Sequence, residues 1–506
     1  MKQTGSDPVF RNRGQVPDLT PLFVAIAAGA AAVGAFSPLD FWPLAPLALA
    51  VLTQLWLRAD SARGAFLLGW CFGLGFFGAG VSWVYVSIHR FGGMPAALAV
   101  VATALFCAFL ALFPAFAGAL QARAAFSPEK RALIVIPAAW TLVEWLRSWV
   151  LTGFPWLTVG YAAIDTPLAG LAPVGGVHAI SFAVALCAGL LWCLAYSRAR
   201  WRAALGLAAI FATGAVLQLV AWSEPAGAPF SASLLQGNIA QELKFDPARF
   251  ARTLDTYARL AESSRARLVV LPETALPRFL DTIDPEYLAR LEALARRNGG
   301  DLLLGVPVRT SPGAYFNSMI SLGSSPRQIY HKVHLVPFGE FIPQGFAWVN
   351  RLLAFPLSDF SRGPADQAPL ALAGERIAVN VCYEDAFGDE IRRQLPEATL
   401  LVNASNVAWF GDSIAPAQHL QIARMRSLET SRMLLAATNS GVTAVIDRDA
   451  RVLSQLPQFV EGRLDASVRG YSGVTPYVRF GDAPALLACM LLLGGALVVA
   501  RRRSRR

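Results

Sequence analysis

The sequence predicts a multispan α-helical membrane domain of about eight transmembrane helices joined to one α/β layered domain. The first observation is composition: hydrophobic residues make up 55% of the 506 residues and charged residues only 15%. Globular chains carry roughly 25% charged residues. The second observation is distribution, because apolar runs fill residues 19–222 and return at 483–500, whereas the region between them is far more polar.

The apolar runs have lengths that suit membrane-crossing helices, which need roughly 17–25 residues. They cover 19–36, 41–57, 65–87, 95–120, 132–146, 173–196, 203–222 and 483–500. The run 132–146 is short and contains Glu144, with Arg147 nearby. These two charges could form a buried pair or touch a lipid headgroup, and the sequence does not choose. We expect a transmembrane domain of seven helices over 1–222 and a final helix with a basic tail over 483–506.

The basic residues of the short loops predict the orientation. With a cytoplasmic N-terminus, the opposite loops carry only Arg90 and, near a helix end, Arg147. The cytoplasmic segments then hold Lys2, Arg11, Arg13, Arg58, Arg63, Arg123, Lys130, Arg131, Arg198, Arg200, Arg202 and the tail 501–506. Seven crossings therefore place residues 223–482 outside the cytoplasm and return the C-terminus inside. The basic tail directly follows an apolar run, so we interpret it as the cytoplasmic end of the last transmembrane helix. We therefore expect no nucleic-acid partner.

The region 223–482 alternates strand-like and helical runs. Short apolar runs indicate strands at 233–236, 268–271, 302–306, 377–381 and 400–402, and a late strand pair at 434–438 and 443–447. Helical patterns cover 247–264 and 285–297. Such alternation is typical of an α/β layered domain.

Cys382 is the only one of six cysteines in this polar region, and it directly follows the apolar run 377–381. A residue just past a strand end is well placed for catalysis, although a free cysteine is often only a small buried hydrophobe. Histidine is the usual base for a thiol, and the region offers His331, His334 and His419. His331 and His334 could also ligate a metal, but no third ligand is evident, so we expect no metal.

A carboxylate is the alternative base. Glu273 stands just beyond the apolar run 268–271, and Lys332 also lies beside a strand-like run. Three strand ends can converge, which would bring both residues to Cys382. The carboxylate could then take the thiol proton, while the ammonium could stabilise a thiolate and an oxyanion.

These residues lie in blocks that resemble the catalytic blocks of the nitrilase superfamily. The blocks are Leu-Pro-Glu at 271–273, His-Lys-Val-His-Leu-Val-Pro-Phe-Gly-Glu at 331–340, Cys-Tyr-Glu at 382–384, Asn-Ala-Ser-Asn-Val-Ala-Trp-Phe at 403–410 and Thr-Asn-Ser-Gly at 438–441. Together with multispan helices in front and one helix behind, the chain resembles the apolipoprotein N-acyltransferases, the membrane-embedded branch of that superfamily. The resemblance covers nearly the whole chain and implies a nitrilase-like αββα sandwich.

The resemblance also implies a role for each site residue. It makes Glu273 the general base, Lys332 the charge stabiliser and Cys382 the nucleophile. Supporting roles fall on Glu340, which would assist proton transfer or hold the lysine, and on Tyr383 and Glu384, which would orient the site. The run Gln236-Gly237-Asn238 resembles the family's opening strand, and Phe245 stands where some members have tryptophan.

The implied reaction takes an acyl chain from a phospholipid, with phosphatidylethanolamine as the expected donor. The chain would pass through a cysteine thioester to the α-amino group of the diacylglyceryl-cysteine of apolipoproteins, in ping-pong order. This is the last step of bacterial lipoprotein maturation. The resemblance further implies location in the bacterial inner membrane, a periplasmic catalytic domain, a monomer and no cofactor.

Transfer in place of hydrolysis requires that water be kept from the thioester. The segment 341–357 is unusually apolar for an exposed insertion, and we expect it to enter the bilayer interface with Phe346, Trp348 and Phe355 as anchors. Trp409 and Phe410 could form another wall of the substrate pocket. The alternative for both sets of aromatic residues is packing in a small core.

Two rival functions remain open from the sequence. The same catalytic blocks would serve a membrane-tethered amidase that releases acid to water. A transporter whose extracytoplasmic domain only binds lipid or peptide is the second rival. The filled Glu-Lys-Cys positions and the sparse charges within the apolar runs disfavour the transporter.

Overall fold

The first part of the chain is helical in the computed structural model, which describes residues 18–311, 313–345 and 359–504. The helices before residue 220 are α1 Thr20–Ala32, α2 Leu44–Arg58, α3 Ala62–Gly80, α4 Val84–Val86, α5 Ala96–Leu110, α6 Leu112–Ala122, α7 Pro128–Lys130, α8 Ile136–Arg147, α9 Ala172–Tyr196 and α10 Arg200–Gln218. The predicted stretch 132–146 divides into a π-helical turn, Arg131–Val135, and α8.

Four helical segments of the described chain are long and apolar enough to cross a membrane: Ala62–Gly80, Ala96–Ala122, Pro167–Tyr196 and Arg200–Gln218. Three shorter apolar helices are Thr20–Ala35, Leu44–Arg58 and Ala483–Ala496. The multispan character expected from the sequence is therefore present in the helices. The expected count of about eight crossings remains a prediction, because length and composition qualify only the four long segments.

Glycine allows α1 and α3 to approach closely. A Cβ atom at Gly75 would lie 2.0 Å from the Ile26 carbonyl oxygen, and one at Gly29 would lie 2.0 Å from the Phe72 carbonyl oxygen. Apolar helices gain little from hydrophobic burial within a bilayer, so close van der Waals packing through small residues holds them together.

The second part of the chain contains two six-stranded sheets. One has the order β12-β1-β2-β3-β4-β5 and the other β11-β10-β9-β8-β7-β6. The strands are β1 Glu224–Gln236, β2 Leu268–Val270, β3 Asp301–Ser311, β4 Ala314–Gly323, β5 Ile329–His331, β6 Leu370–Leu372, β7 Glu375–Val381, β8 Leu400–Ser405, β9 Leu434–Thr438, β10 Ala444–Ile446, β11 Val452–Gln455 and β12 Gly462–Ser472. β1, β2 and β3 run parallel, as do β7, β8 and β9.

Helices cover the outer face of each sheet. The first sheet carries α12 Phe250–Ser263 and α13 Pro285–Arg297, and the second carries α14 Gly388–Ile391, α15 Ala415–Thr430 and α16 Pro476–Phe480. The short helix α11 Gln241–Lys244 precedes α12, and α17 Ala483–Ser504 follows α16. Leu234 and Val270 of one sheet meet Val379 and Val402 of the other in a shared core. Tyr257 and other apolar residues of α12 and α13 form a separate core on the first sheet. The αββα sandwich that the resemblance implied is confirmed.

Helix α15 lies between the second sheet and the membrane helices. Its Gln418 accepts hydrogen bonds from the indole N–H groups of Trp83, at 3.2 Å, and Trp156, at 2.7 Å. The same side chain donates to the Gly80 carbonyl at 3.3 Å. Polar groups buried away from water need such partners, so this network attaches the sandwich to the helices at a defined position.

Most strands and helices expected from the sequence form close to their predicted limits. The exceptions are β1, which begins at Glu224 and not at 233, α3, which ends at Gly80 and not at 87, and the predicted run 95–120, which divides into α5 and α6. The strand-like run expected beside Lys332 is β5, whereas β4, β6, β11 and β12 were not predicted. β4 pairs antiparallel with β3, and β12 pairs antiparallel with β1, which lies far from it in the sequence. These strands depend on pairing with partners, which local periodicity does not encode.

Candidate active site

Three strand ends converge on one buried site. Glu273 lies just beyond β2, Lys332 directly follows β5 and Cys382 directly follows β7. The exposed fractions of these residues are 6%, 1% and 8%. Lys332 forms an ion pair with Glu273, and the charges of both act on the Cys382 thiol, so the structure brings together the three residues to which the sequence assigned the chemistry.

The Lys332 ammonium lies between two carboxylates. Its Nζ is 3.2 Å from Oε1 of Glu273 and 2.9 Å from Oε2 of Glu340. The Asn317 amide donates to Oε1 of both glutamates, at 2.7 Å and 2.8 Å. Each carboxylate oxygen is thus held by charge-assisted hydrogen bonds, which fix the orientation of the two glutamates.

Opposing effects act on the ionisation of this cluster. Burial opposes the charged form of Glu273, but the Lys332 and Lys244 ammonium groups and the Asn317 hydrogen bond outweigh it and hold the pKa of the carboxyl below its usual value. Burial also opposes the charge of Lys332, but Glu273 and Glu340 raise the pKa of its ammonium above the usual value. The resting pair is therefore carboxylate and ammonium.

Cys382 occupies a strained turn, with a left-handed φ of +53°. Two donors hold its carbonyl oxygen: the Asn403 amide at 3.0 Å and His419 Nε2 at 3.2 Å. Non-glycine residues in this backbone region are uncommon and cluster at functional sites. The geometry points the nucleophile candidate out of the strand towards the carboxylate and ammonium cluster.

The thiol rests in its protonated form. Burial raises the pKa of Cys382 well above its usual value, the Glu273 carboxylate raises it further, and Lys332 opposes these effects. The Asn406 backbone N–H donates to Oε2 of Glu273 at 2.9 Å and also favours the thiolate. A neutral thiol beside an ionised carboxylate is the starting state that general-base catalysis requires.

Lys244 is a site residue that sequence reasoning missed. Its Nζ donates to the Glu273 carbonyl oxygen at 3.2 Å, and the side chain is buried. Burial lowers the pKa of Lys244 to about 8, against the effects of Glu273 and Cys382. One signal was available, because the chain uses arginine at nearly all basic positions and Lys244 and Lys332 are the only lysines between 223 and 482.

Glu384 joins the segments that carry the site lysine and the site cysteine. Its carboxylate accepts from the Val333 N–H at 2.6 Å, the His334 N–H at 3.0 Å, the Val381 N–H at 2.6 Å and the Tyr330 hydroxyl at 3.1 Å. Burial raises the pKa of Glu384 to about 7, although Lys332 and the backbone donors oppose it. The side chain positions two backbone segments and does not face the thiol.

Tyr383 points away from the thiol, towards the membrane helices. Its hydroxyl donates to the Gly153 carbonyl at 3.0 Å, and its ring stacks on Trp156 with centroids 6.4 Å apart. Trp156 also stacks on His419, at 6.0 Å. The turn that holds the thiol therefore rests on the loop between α8 and α9.

The predicted substrate-binding aromatic residues fall into three groups. Phe245 directly follows α11 and is half-buried beside Lys244. The turn with Trp409 and Phe410 packs against the membrane helices: the Trp409 ring lies 5.9 Å from Phe91, and the Phe410 ring 4.5 Å from Trp83. Phe346, Trp348 and Phe355 lie outside the described residues, so their anchoring role stays a prediction.

His331 and His334 each have a partner close by. His331 Nδ1 bonds the Ser318 hydroxyl at 2.7 Å, and His334 Nδ1 lies 3.0 Å from Glu390. Within the ranges that the structure describes, no three His, Cys, Asp or Glu side chains are grouped to hold a metal ion. Both histidines serve the packing around the site.

The two charged side chains of the α8 region, Glu144 and Arg147, are buried and bond to backbone groups. Glu144 accepts the Val159 N–H at 2.9 Å, and Arg147 donates to the carbonyls of Phe154 and Trp156, both at 2.5 Å. Glu144 and Arg147 are only 3% and 2% exposed. They therefore fix the loop on which Tyr383 rests.

The two-sheet sandwich and its carboxylate, ammonium and thiol cluster define a carbon-nitrogen hydrolase domain joined to membrane helices. Residues 231–477 match the carbon-nitrogen hydrolase family, and residues 28–190 match the N-terminal domain of apolipoprotein N-acyltransferase. The chain belongs to the apolipoprotein N-acyltransferase family, as the following relatives show.

A curated apolipoprotein N-acyltransferase from Nitrosomonas europaea is 49% identical, over 95% of this chain and 98% of the relative. One from Chromobacterium violaceum is 45% identical, over 95% of this chain and 94% of the relative. Among solved structures, an amidase of the nitrilase superfamily from Nesterenkonia is 20% identical, with a TM-score of 0.37 over 51% of this chain and 97% of the amidase.

Proposed function

We propose that this chain transfers an acyl chain from a phospholipid, through a thioester on Cys382, to the α-amino group of the diacylglyceryl-cysteine of apolipoproteins. Family membership supports N-acyl transfer in lipoprotein maturation. The observation that carries the chemistry is a protonated, buried thiol beside an ionised Glu273 that is paired with Lys332. The donor we expect is phosphatidylethanolamine.

In the first half-reaction, the Cys382 thiol gives its proton to Glu273 as the sulfur bonds to the ester carbonyl carbon. The carbonyl oxygen becomes a tetrahedral oxyanion, which the Lys332 ammonium stabilises. The ester C–O bond then breaks, and the departing lysophospholipid oxygen takes the proton from Glu273. The acyl chain remains as a thioester.

In the second half-reaction, the α-amino nitrogen of the lipoprotein attacks the thioester carbonyl carbon and gives a proton to Glu273. The tetrahedral intermediate collapses with cleavage of the C–S bond. The released thiolate recovers the proton from Glu273, and an amide leaves the site. One carboxylate thus serves both halves. The kinetics are ping-pong because the lysophospholipid leaves before the lipoprotein amine reacts with the thioester.

The contacts beneath Cys382 support a donor that arrives from the bilayer. Tyr383 is bonded to Gly153 of the helical part, so the nucleophile turn lies against the membrane helices. We propose the division into a transmembrane domain 1–222, a periplasmic catalytic domain 223–482 and a last crossing 483–506. The loop charges support cytoplasmic termini. Location in the bacterial inner membrane and a monomeric state belong to the same proposal and follow from the family resemblance alone.

The test uses the full-length chain in proteoliposomes that contain phosphatidylethanolamine with a labelled acyl chain. Without acceptor, wild type should retain label on the protein in a hydroxylamine-sensitive bond, and Cys382→Ala should retain none. Cys71→Ala, which removes a buried thiol in α3, is the matched control and should label normally. Label on Cys382→Ala would overturn the thioester mechanism. Replacing the donor by labelled phosphatidylglycerol tests the headgroup.

The amidase rival is an outcome of the same experiment. After the donor is removed, a diacylglyceryl-cysteine peptide should release the label as an amide of its N-terminus. Label recovered as free fatty acid at the same rate with and without peptide would show hydrolysis. Because the thioester must persist without acceptor, the half-life of the labelled protein measures how well the site excludes water.

A further inference from the structure

Lys244 is a second lysine in the site, and it has no role in the acyl-transfer mechanism proposed for Glu273, Lys332 and Cys382. Lys244 ends α11, only 2% exposed, and donates to the Glu273 main-chain carbonyl at 3.2 Å. We propose that Lys244 is a second cation of the acyl-transfer centre, which positions Glu273 and supplies positive charge to the sulfur as it ionises. The proposal rests on the function proposed above and adds a residue to it.

A count of the buried charges indicates why a second cation is needed. The cluster holds two carboxylates, Glu273 and Glu340, and the Lys332 ammonium bonded to both. Without Lys244 its net charge would be negative before the thiol loses its proton. With Lys244 charged, the cluster is neutral, and the negative charge moves from the carboxylate to sulfur without excess repulsion. In a buried site such repulsion raises the cost of forming an anion.

The hydrogen-bond capacity of Lys244 supports the same role. An ammonium carries three donors, and Lys244 uses one of them to bond the Glu273 carbonyl oxygen. The bond to the main chain holds the general base at its strand end. Lys244 also lies close enough to Cys382 for the charge of the sulfur to act on the ammonium, which puts the second cation beside the atom that ionises.

The protonation of Lys244 predicts an alkaline limit. Burial lowers the pKa of Lys244 to about 8, while the facing groups Glu273 and Cys382 oppose that effect. Lys332 stays charged across the same range because Glu273 and Glu340 raise its pKa. As the pH rises through 8, the cluster therefore becomes negative and the thiol becomes harder to ionise.

Reactivity of the thiol tests the proposal without any acyl donor. Iodoacetamide alkylation of Cys382, quantified by peptide mass spectrometry of the full-length chain in micelles, reports the thiolate fraction. A thiol pKa raised by one unit lowers that fraction about tenfold, so Lys244→Met should slow alkylation at pH 7.5 about tenfold or more. Lys130→Met removes an exposed lysine and should leave the rate unchanged.

Acyl-enzyme formation supplies the second readout. Wild type should lose its labelling rate as the pH rises from 7 to 9, and Lys244→Arg should shift that loss upwards because guanidinium stays charged. Unchanged Cys382 alkylation in Lys244→Met overturns the proposal. If the Lys244 variants fold poorly, the pH profile of wild type decides, and a labelling rate that keeps rising up to pH 9 overturns the proposal. If wild type takes up no label from the phospholipid but Lys244→Met still slows alkylation of Cys382, the proposed donor is wrong and the role of Lys244 stands.

Discussion

The Tyr383 hydroxyl donates a hydrogen bond to the Gly153 carbonyl, 3.0 Å away. The residue next to the nucleophile candidate is thereby bonded to the loop between two membrane helices. Trp156 of the same loop stacks on both Tyr383 and His419. The strained Cys382 turn consequently depends on the helical part of the chain, and several expected outcomes follow from the contacts around it.

Tyr383→Phe removes this bond and leaves the aromatic stacking intact. The loss of one hydrogen bond should lower stability by about 1 kcal/mol, because the Gly153 carbonyl loses its donor. We expect a small fall in the melting temperature and a slower acyl-enzyme formation in proteoliposomes. Tyr471→Phe on β12 is the control for loss of a phenol. Equal behaviour of the two variants would contradict a role for the bond.

Asn317→Asp should inactivate the site at neutral pH. The Asn317 amide donates to both Glu273 and Glu340, so the aspartate would replace two donors by a third negative charge. Like charges raise the pKa of neighbouring carboxyls, and the proton would favour Glu273 in the resting state. Asn317→Gln tests whether a displaced donor is tolerated. Retained wild-type labelling in Asn317→Asp, measured at pH 7, would refute the argument.

The acid limb of acyl-enzyme formation should lie below the ordinary glutamate pKa of 4.5. The two ammonium groups hold the pKa of Glu273 below that value, so the base stays ionised as the pH falls from 7 to 5. Protonation of Glu273 should therefore not lower the labelling rate over that interval, and Glu273→Gln should be inactive throughout. A rate that halves near pH 6 would show that another group limits the reaction.

His419 should stabilise the fold more at low pH. Burial opposes its charge, but Asp385, 3.1 Å away, outweighs burial and raises the pKa of His419 above 6.5. That stability is fully present below the unfolded pKa and is lost as the pH rises through the folded pKa. The melting temperature of wild type should fall between pH 6.5 and pH 8 more than that of His419→Gln. If the melting temperatures of wild type and His419→Gln change equally with pH, protonation of His419 does not contribute to stability.

Gly176→Ala should destabilise the junction of the two parts. Gly176 has φ +68°, and a Cβ there would lie 2.4 Å from the Tyr477 ring. Backbone strain of this kind costs on the order of 1–3 kcal/mol. The adjacent Val177 N–H, which donates to Glu429 at 2.8 Å, would also shift. The matched control is Gly494→Ala, because a Cβ at Gly494 would lie in open space. Yield and thermal stability should fall in Gly176→Ala and stay at the wild-type level in Gly494→Ala.

Local pattern was sufficient to predict the main parts of the fold. Apolar run length indicated the helices, and alternating strand and helix patterns predicted strands such as β7 and β8. The predicted residues Glu273, Lys332 and Cys382 do lie together. The rings of Trp409 and Phe410 contact Phe91 and Trp83 of the helical part, and local pattern does not encode such contacts between residues far apart in the sequence. The place of Trp409 and Phe410 in a substrate pocket stays a prediction.

Residue type and position after a strand are local properties, so the amino-acid order was enough to predict which residues carry the chemistry. The electrostatics of the site came from packing. It made Lys244 a member of the site, turned Tyr383 towards the membrane helices and gave Glu384 three backbone N–H donors. The reason is physical: pKa values, burial and hydrogen-bond partners arise from groups that are distant along the chain and meet only when the sheets and helices pack.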